Sequence, residues 1–469
     1  MSRVAALVML FFAYTQLFRY LGPFGSGQYQ FILSYVLLFS TIVDFGIQQF
    51  ITKKISEQPQ AAKEYFQNFF SFEIVIGTLL YIVLIAIASF RHYDVAVFYG
   101  IGLAGLGMLA NALTYPYLAV MAAFQDLRKV AWINFINSCV NVSVIFLAIL
   151  FHRYIVFLAS IQLVFGLVDL IIYRQMIKKH LPEPQILKGL RLFDFHLIKG
   201  ILKQGWPFAL LVGFSAIYNR IDVIIITLMK GFQQTGYYTA AYKIFDLLNF
   251  FPSVVSFTLF PFFASLMASK SLHAVKENLE KYLRLMIIVA LPMGVGGTVL
   301  AVRLISLIAG PGYEPAAAVL AILIWAPVLT FIYTPLNSIV ISQLTRRAMI
   351  ITGVNVVVNT IGNLLLIPHF GIRASAAMTL VSEALQFSFY YYFVFSKITH
   401  FDFVKIIRKP LLASLCMGVV LWPTRTHSLI LTLPLGAASY FLVLFALGFI
   451  SKDDLKFVKT LFSGNAQTV

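Results

Sequence analysis

The sequence predicts an all-α polytopic membrane protein of about fourteen transmembrane helices: two six-helix lobes related by a parallel repeat, plus two C-terminal helices. Three observations predict it. Of 469 residues, 60% are hydrophobic and 11% charged, with a mean hydropathy of +0.88. Soluble domains hold roughly 45–50% apolar residues and have no interior large enough for more. The apolar residues fall in blocks of about 20, the length a helix rising 1.5 Å per residue needs to cross about 30 Å of hydrocarbon. An internal repeat relates the two halves.

Apolar runs between charged or turn-rich breaks place six spans at about 4–20, 29–50, 69–89, 95–122, 130–151 and 155–176. Eight more follow at about 205–229, 237–266, 285–309, 316–342, 348–368, 374–396, 411–424 and 428–450. The thirteenth is short and contains Pro423. The organisation read from this is an N-terminal lobe over 1–176, a basic cytoplasmic linker over 177–204 and a C-terminal lobe over 205–396. Helices 13 and 14 fill 397–450, and 451–469 is a cytoplasmic tail. The first span follows Met1-Ser2-Arg3 directly, but no small-residue cleavage site follows Tyr20, so it reads as a retained helix rather than a leader.

The formal charge is +17. A nucleic-acid partner would require basic residues gathered on one soluble face with a recognition module, and neither is visible. The charge is instead distributed by side. Loops on the side of the termini hold about 26 of the 35 Lys and Arg, Lys53, Lys54, Lys188, Arg408 and Lys409 among them. The opposite side holds about five, including Arg91, Arg153 and Arg425. Basic loops stay in the cytoplasm, so both termini are expected there. Cys139 and Cys416 lie inside apolar segments, which excludes a disulfide framework or zinc site. No Gly-rich, lysine-containing phosphate loop appears, so no nucleotide or other cofactor is expected.

The repeat joins 128–179 to 346–397 at a constant offset with no gap. Arg128-Lys129 falls on Arg346-Arg347, Asn137 on Asn355, Asn141 on Asn359 and Tyr173 on Tyr391. A second match pairs Gly27-Gln28-Tyr29 with Gly236-Tyr237-Tyr238. Equivalent helices run in the same direction in both halves, the pattern of transporters whose halves rock in alternating access.

The stretch Phe18-Arg19-Tyr20-Leu21-Gly22-Pro23-Phe24-Gly25-Ser26-Gly27-Gln28-Tyr29, followed by Asp44-Phe45-Gly46, resembles the opening of bacterial polysaccharide flippases of the Wzx type. Arg220-Ile221-Asp222 leading to Gly236-Tyr237-Tyr238-Thr239-Ala240-Ala241-Tyr242-Lys243-Ile244 and Pro261 resembles them too, as does the tail Ser451-Lys452-Asp453-Asp454-Leu455. The resemblance covers nearly the whole chain with diffuse motifs. It implies the multidrug/oligosaccharidyl-lipid/polysaccharide exporter fold. The activity it implies is transfer of undecaprenyl-pyrophosphate-linked oligosaccharide repeat units to the outer leaflet of the bacterial cytoplasmic (inner) membrane. Such proteins carry a longer polar stretch before the first helix than Met1-Ser2-Arg3, so a start upstream of Met1 is expected.

Charges at bilayer depth cost at least about 2.5–3.5 kcal/mol each on insertion scales, so each needs a reason. Arg220, about 15 residues into the seventh helix, and Lys243, about 7 into the eighth, have matching depths. They are the expected cations for a pyrophosphate headgroup, which a guanidinium fork binds through two oxygens at once. Arg19 is a third substrate-binding candidate or an interfacial anchor, since a long side chain near a helix end can snorkel. Asp44 is the expected carboxylate for coupling to a proton or other cation, with Asp222 and Asp246 either sharing that role or pairing with Arg220 and Lys243. Glu73 is expected near water, and the repeated asparagines as interhelical amide contacts.

Two rivals are weighed. A cation-coupled drug exporter of the same superfamily would have a cavity dominated by acids. A membrane-embedded polysaccharide-assembly enzyme would need a sizeable outer loop carrying catalytic groups, and no outer loop exceeds about ten residues. Expected partners are the lipid-linked oligosaccharide, membrane lipids, and the polymerase and chain-length proteins of polysaccharide assembly.

Overall fold

The computed structural model describes residues 2–44, 46–181, 195–269 and 271–449, and for some helical residues, Asp44 among them, the backbone alone. Residues 182–194 of the basic linker and 450–469 at the C-terminus, with Lys188, Arg191 and Lys452, lie outside the described residues. Sixteen α-helices and no strand occur among the described residues, the all-α class the sequence predicts with two helices more than the fourteen expected. Among the described residues ten helical stretches are long and apolar enough to cross a membrane. The first two expected spans fall in one of these stretches, and α8 (Phe195–Lys230), α14 (Ile372–Lys397) and α15 (Phe403–Thr424), where the seventh, twelfth and thirteenth spans were expected, are not among the ten. Helix α1 (Ser2–Asp44) contains the first span and most of the second. Its break is at Gly22, whose φ of 65° only glycine adopts readily, and the following Pro23 supplies no N–H to bridge it.

The chain forms two compact units. Unit 1 comprises residues 1–239 and 360–371. It contains α1, α2 (Ile47–Glu57), α3 (Ala62–Phe90), α4 (Val95–Ala112), α5 (Tyr115–Ala123), α6 (Leu127–Leu150), α7 (Ile155–Ile177) and α8 (Phe195–Lys230). The first two turns of α9 (Phe232–Ala268) also belong to it. One core gathers Leu17, Phe31, Ile32, Leu84, Ile101 and Leu158, and a second Ile47, Phe50, Phe66, Phe69 and Tyr117. Other apolar side chains, Leu79, Ile82 and Phe90 on α3 for example, face outward. Lipid is as apolar as leucine, so burial alone cannot hold such helices together; close backbone approach and hydrogen bonds must.

The closest approach in unit 1 is at the crossing of α1 and α9. A Cβ on Gly27 would stand 1.8 Å from the Phe232 carbonyl oxygen, and one on Gly236 would stand 1.8 Å from that of Pro23. The crossing is reciprocal: each helix supplies a glycine and, four residues earlier, the carbonyl that covers the other's glycine. Phe24 and Phe31 pack their rings on Phe232 beside it, at centroid distances of 5.8 and 5.7 Å. Lys230 Nζ donates to the Pro368 carbonyl at 2.9 Å, fastening the end of α8 to the 360–371 segment.

Unit 2 comprises residues 240–359 and 372–469. It holds the rest of α9, α10 (Leu272–Val299), α11 (Ala301–Ala309), α12 (Pro315–Leu323) and most of α13 (Trp325–Phe370). It continues with α14 (Ile372–Lys397), α15 (Phe403–Thr424) and α16 (Leu429–Ala446). Its larger core is built on Leu259, Phe263, Leu283, Leu336 and Tyr390. Helices α15 and α16 close a smaller one with Leu300, Met417, Leu421 and Leu444, where Tyr440 Oη donates to the Ile288 carbonyl at 2.9 Å.

Each half of the repeat uses its asparagine in the same way. Asn137 Nδ2 on α6 donates to both carboxylate oxygens of Asp169 on α7, at 2.8 and 3.0 Å. Asn355 Nδ2 on α13 donates to Gln386 Oε1 on α14 at 2.8 Å, and Asn359 to Ser382 Oγ at 3.1 Å. These amides join a helix to its successor, as expected.

Candidate functional site

Arg220 sits half-buried on α8 in unit 1. Asp222, two positions on, is buried. Residues two apart on a helix do not share a face, so the two project in different directions. Asp222 accepts from the phenol of Tyr238, one of the most deeply buried large side chains, and from its neighbour's backbone, Val223 N, at 2.7 Å. Two donors thus meet the carboxylate where an unpartnered one would be costly. Arg19 is exposed, three residues before the break at Gly22. The side chain of Asp44, at the end of α1, lies outside the described residues.

Lys243 and Asp246 lie on the part of α9 that belongs to unit 2. Their charged groups are 3.9 Å apart, an i,i+3 pair with both side chains partly exposed. That distance is an ion pair rather than a close hydrogen bond. At partial exposure such a pair is worth little on its own.

The sequence misplaces one buried acid, Glu73, and assigns no role to two others inside the helices, Asp169 and Glu383. Glu73 is not near water: α3 begins at Ala62, which carries Glu73 three turns into the helix, and its side chain is fully buried. Asp169 is the acceptor of the Asn137 contact. Glu383 on α14 is buried and accepts from Tyr333 Oη at 2.6 Å and Thr330 Oγ1 at 3.3 Å. Thr330 and Tyr333 stand i,i+3 on α13 and so present both hydroxyls to one carboxylate. An acid inside an apolar helix announces that a donor must exist, but the sequence does not say which of many hydroxyls supplies it.

Arg303 lies exposed on α11, its guanidinium donating to the Thr426 carbonyl, and Arg425 stacks on Trp422 at 4.0 Å. No group of three or more His, Cys, Asp or Glu able to hold a metal ion occurs among the described residues.

The family model described as "Polysaccharide biosynthesis protein" matches residues 1–267, more than half of the chain and all of α1 to α8. The chain belongs to this family. Among curated relatives, the probable flippase AglR of Haloferax volcanii is 28% identical over 175 residues, 36% of this chain and 36% of that protein. The probable low-salt glycan biosynthesis flippase Agl15 of the same organism is 21% identical over 384 residues, 78% of this chain and 76% of that protein. The match thus spans about a third of one relative and three quarters of the other. Both relatives are named as transporters rather than enzymes. Among solved structures, the lipid II flippase MurJ in its inward closed conformation superposes with a TM-score of 0.65 at 15% identity, covering 92% of this chain and 97% of that one. The chain therefore has the fold of that flippase. The family match includes Arg19, Asp44, Arg220, Asp222, Lys243 and Asp246, so every residue singled out for binding or coupling lies within it.

Proposed function

We propose that the protein is a flippase that moves undecaprenyl-pyrophosphate-linked oligosaccharide repeat units from the inner to the outer leaflet of the bacterial cytoplasmic membrane. Transport proceeds by alternating access and feeds synthesis of a surface polysaccharide: O-antigen, capsule or exopolysaccharide. Membership of the polysaccharide biosynthesis family carries this reading, and the flippase names of two relatives support it. Arg220 on α8 and Lys243 on α9 supply cations for the pyrophosphate, and Arg19 a third near the end of the first span. Asp44, Asp222 and Asp246 couple transport to a cation. Both termini face the cytoplasm, and a polymerase with its chain-length proteins consumes the product outside.

Deleting the gene from a strain without paralogues should stop surface polysaccharide while lipid-linked repeat units accumulate in the inner leaflet. Normal surface polysaccharide in that strain refutes the reading. Drug hypersensitivity with polysaccharide intact points to a drug exporter instead.

A further inference from the structure

The end of unit 2 at which α10 and α15 begin holds a cavity of about 410 Å³ that the transport reading does not use. Five basic side chains line it: Lys276 and Arg284 from α10, and Lys405, Arg408 and Lys409 from α15. Only two carboxylates, Glu280 and Asp402, answer them. Asp402 is engaged, since its Oδ1 caps α15 by accepting from Lys405 N at 2.9 Å. Among the described residues no ion pair involves Lys276, Lys405, Arg408 or Lys409, whereas nearby Lys281 is matched by Glu277 at 2.8 Å. Arg284 is held in place: Nη2 donates to the Phe449 carbonyl at 2.7 Å, and the guanidinium stacks on the Phe449 ring at 4.6 Å.

An apolar track leads away from these charges. On α15, Arg408 is followed at helical spacing by Leu412, Leu415, Val419 and Trp422, all exposed. At 1.5 Å per residue the track runs about 21 Å, a length suited to an acyl or prenyl chain. A polybasic cavity at a helix end with an apolar stripe beneath it has the chemistry of a lipid site, charges for the head and hydrocarbon contact for the tail.

We propose that this cavity binds the phosphate of an anionic lipid, with Arg284, Arg408 and Lys409 on the headgroup and the tail along the outer face of α15. Its ligand is either a bilayer glycerophospholipid or a polyprenyl phosphate; both present the same lipid-borne phosphate. The site stands whether or not the transport reading does.

The test uses the full chain purified in detergent and native mass spectrometry, titrating phosphatidylglycerol against phosphatidylcholine. Phosphatidylglycerol should be retained preferentially. Each basic side chain removed should weaken it about fivefold, so Arg408→Gln/Lys409→Gln loses about 25-fold. The charge-matched control Lys53→Gln/Lys54→Gln, in unit 1, should bind as the wild type does. Arg408 is exposed, so if the double variant does not fold, Arg408→Gln alone should still show the fivefold loss. Undecaprenyl phosphate then distinguishes the source. Displacement of phosphatidylglycerol at sub-stoichiometric amounts assigns the site to a polyprenyl carrier, and failure to displace assigns it to a bilayer lipid. Equal retention of phosphatidylcholine, or an equal loss in the control, overturns the proposal.

Discussion

The reciprocal crossing of α1 and α9 makes a quantitative prediction about Gly27 and Gly236. Replacing Gly27 by alanine places a methyl carbon 1.8 Å from the Phe232 carbonyl oxygen. A tolerable C···O contact is about 3.3 Å or more, so the two backbones must part by about 1.5 Å at this point. Overpacking of this kind costs about 1–3 kcal/mol, and the clash is with backbone, which cannot rotate away; we expect about 3. Gly236→Ala meets the Pro23 carbonyl at the same distance and should cost the same. The two are not independent. Once the helices have separated to admit one methyl, there is room for the second, so Gly27→Ala/Gly236→Ala should cost about 3–4 rather than about 6 kcal/mol, a coupling of about 2–3. Gly213→Ala on α8 is the control: its added carbon meets nothing within 4 Å, so helix propensity alone acts and should stabilise by up to about 1 kcal/mol. Denaturant unfolding of the purified chain in detergent measures all four variants. A Gly27→Ala protein within about 0.5 kcal/mol of wild type, or strict additivity in the double variant, refutes the shared crossing.

Other expectations follow from the polar contacts. Arg220→Gln and Lys243→Gln should abolish transport at normal abundance, while Arg220→Lys, which keeps the charge but not the planar fork, should retain part of it. Restoration of polysaccharide by Lys243→Gln/Asp246→Asn would instead reveal a structural pair. Asn137→Leu leaves the Asp169 carboxylate without its donor and should lower stability by about 1–3 kcal/mol, with Asp169→Leu added in the same chain recovering part of it. In the turn before α6, the hydrogen bond from Lys129 at 2.9 Å holds the Asp126 carboxyl below its usual 3.8. Its contribution is therefore present above the unfolded value and lost as pH falls through the lower folded one. Hydrogen-exchange protection at 124–128, relative to the intrinsic rate at each pH, should stay flat from pH 8 to about 5 and fall only below about pH 4. Cysteine replacing Arg425 should react with an impermeant reagent in intact cells, and cysteine replacing Lys53 only after permeabilisation; the reverse result overturns the cytoplasmic termini.

The fold class was legible because the bilayer imposes it: every backbone group must be bonded within its own segment, so a chain this apolar is helical. Boundaries were less so. Hydropathy marks where charge interrupts an apolar run, and α1 does leave helical geometry between the first two expected spans, at Gly22, but helix resumes at Pro23 rather than near 29. The repeated asparagines betrayed their role because amides are rare and costly in hydrocarbon. Glu73 misled because its depth was inferred from an apolar run starting near 69, whereas α3 starts at Ala62 in sequence too polar to signal a span. The Tyr238 to Asp222 contact was illegible for another reason: both residues were visible, but they are 16 positions apart on successive helices and only the fold shows the phenol aimed at the carboxylate.

The chain passes between units 1 and 2 at three points, and only one of them, Gly371 to Ile372, falls in a connection between helices. The other two lie between Thr239 and Ala240 inside α9 and between Asn359 and Thr360 inside α13. A polypeptide severed at either point would leave four carbonyls on one stump and four N–H groups on the other without partners, each costing several kcal/mol in hydrocarbon. Neither unit can therefore be expressed as an autonomous half. Co-expressed fragments should reassemble only when the cut falls in a connection between helices, such as residues 398–402 between α14 and α15. For this chain the compact body and the separable piece of gene are different objects, and split reporters or domain-swapped chimaeras have to follow the latter.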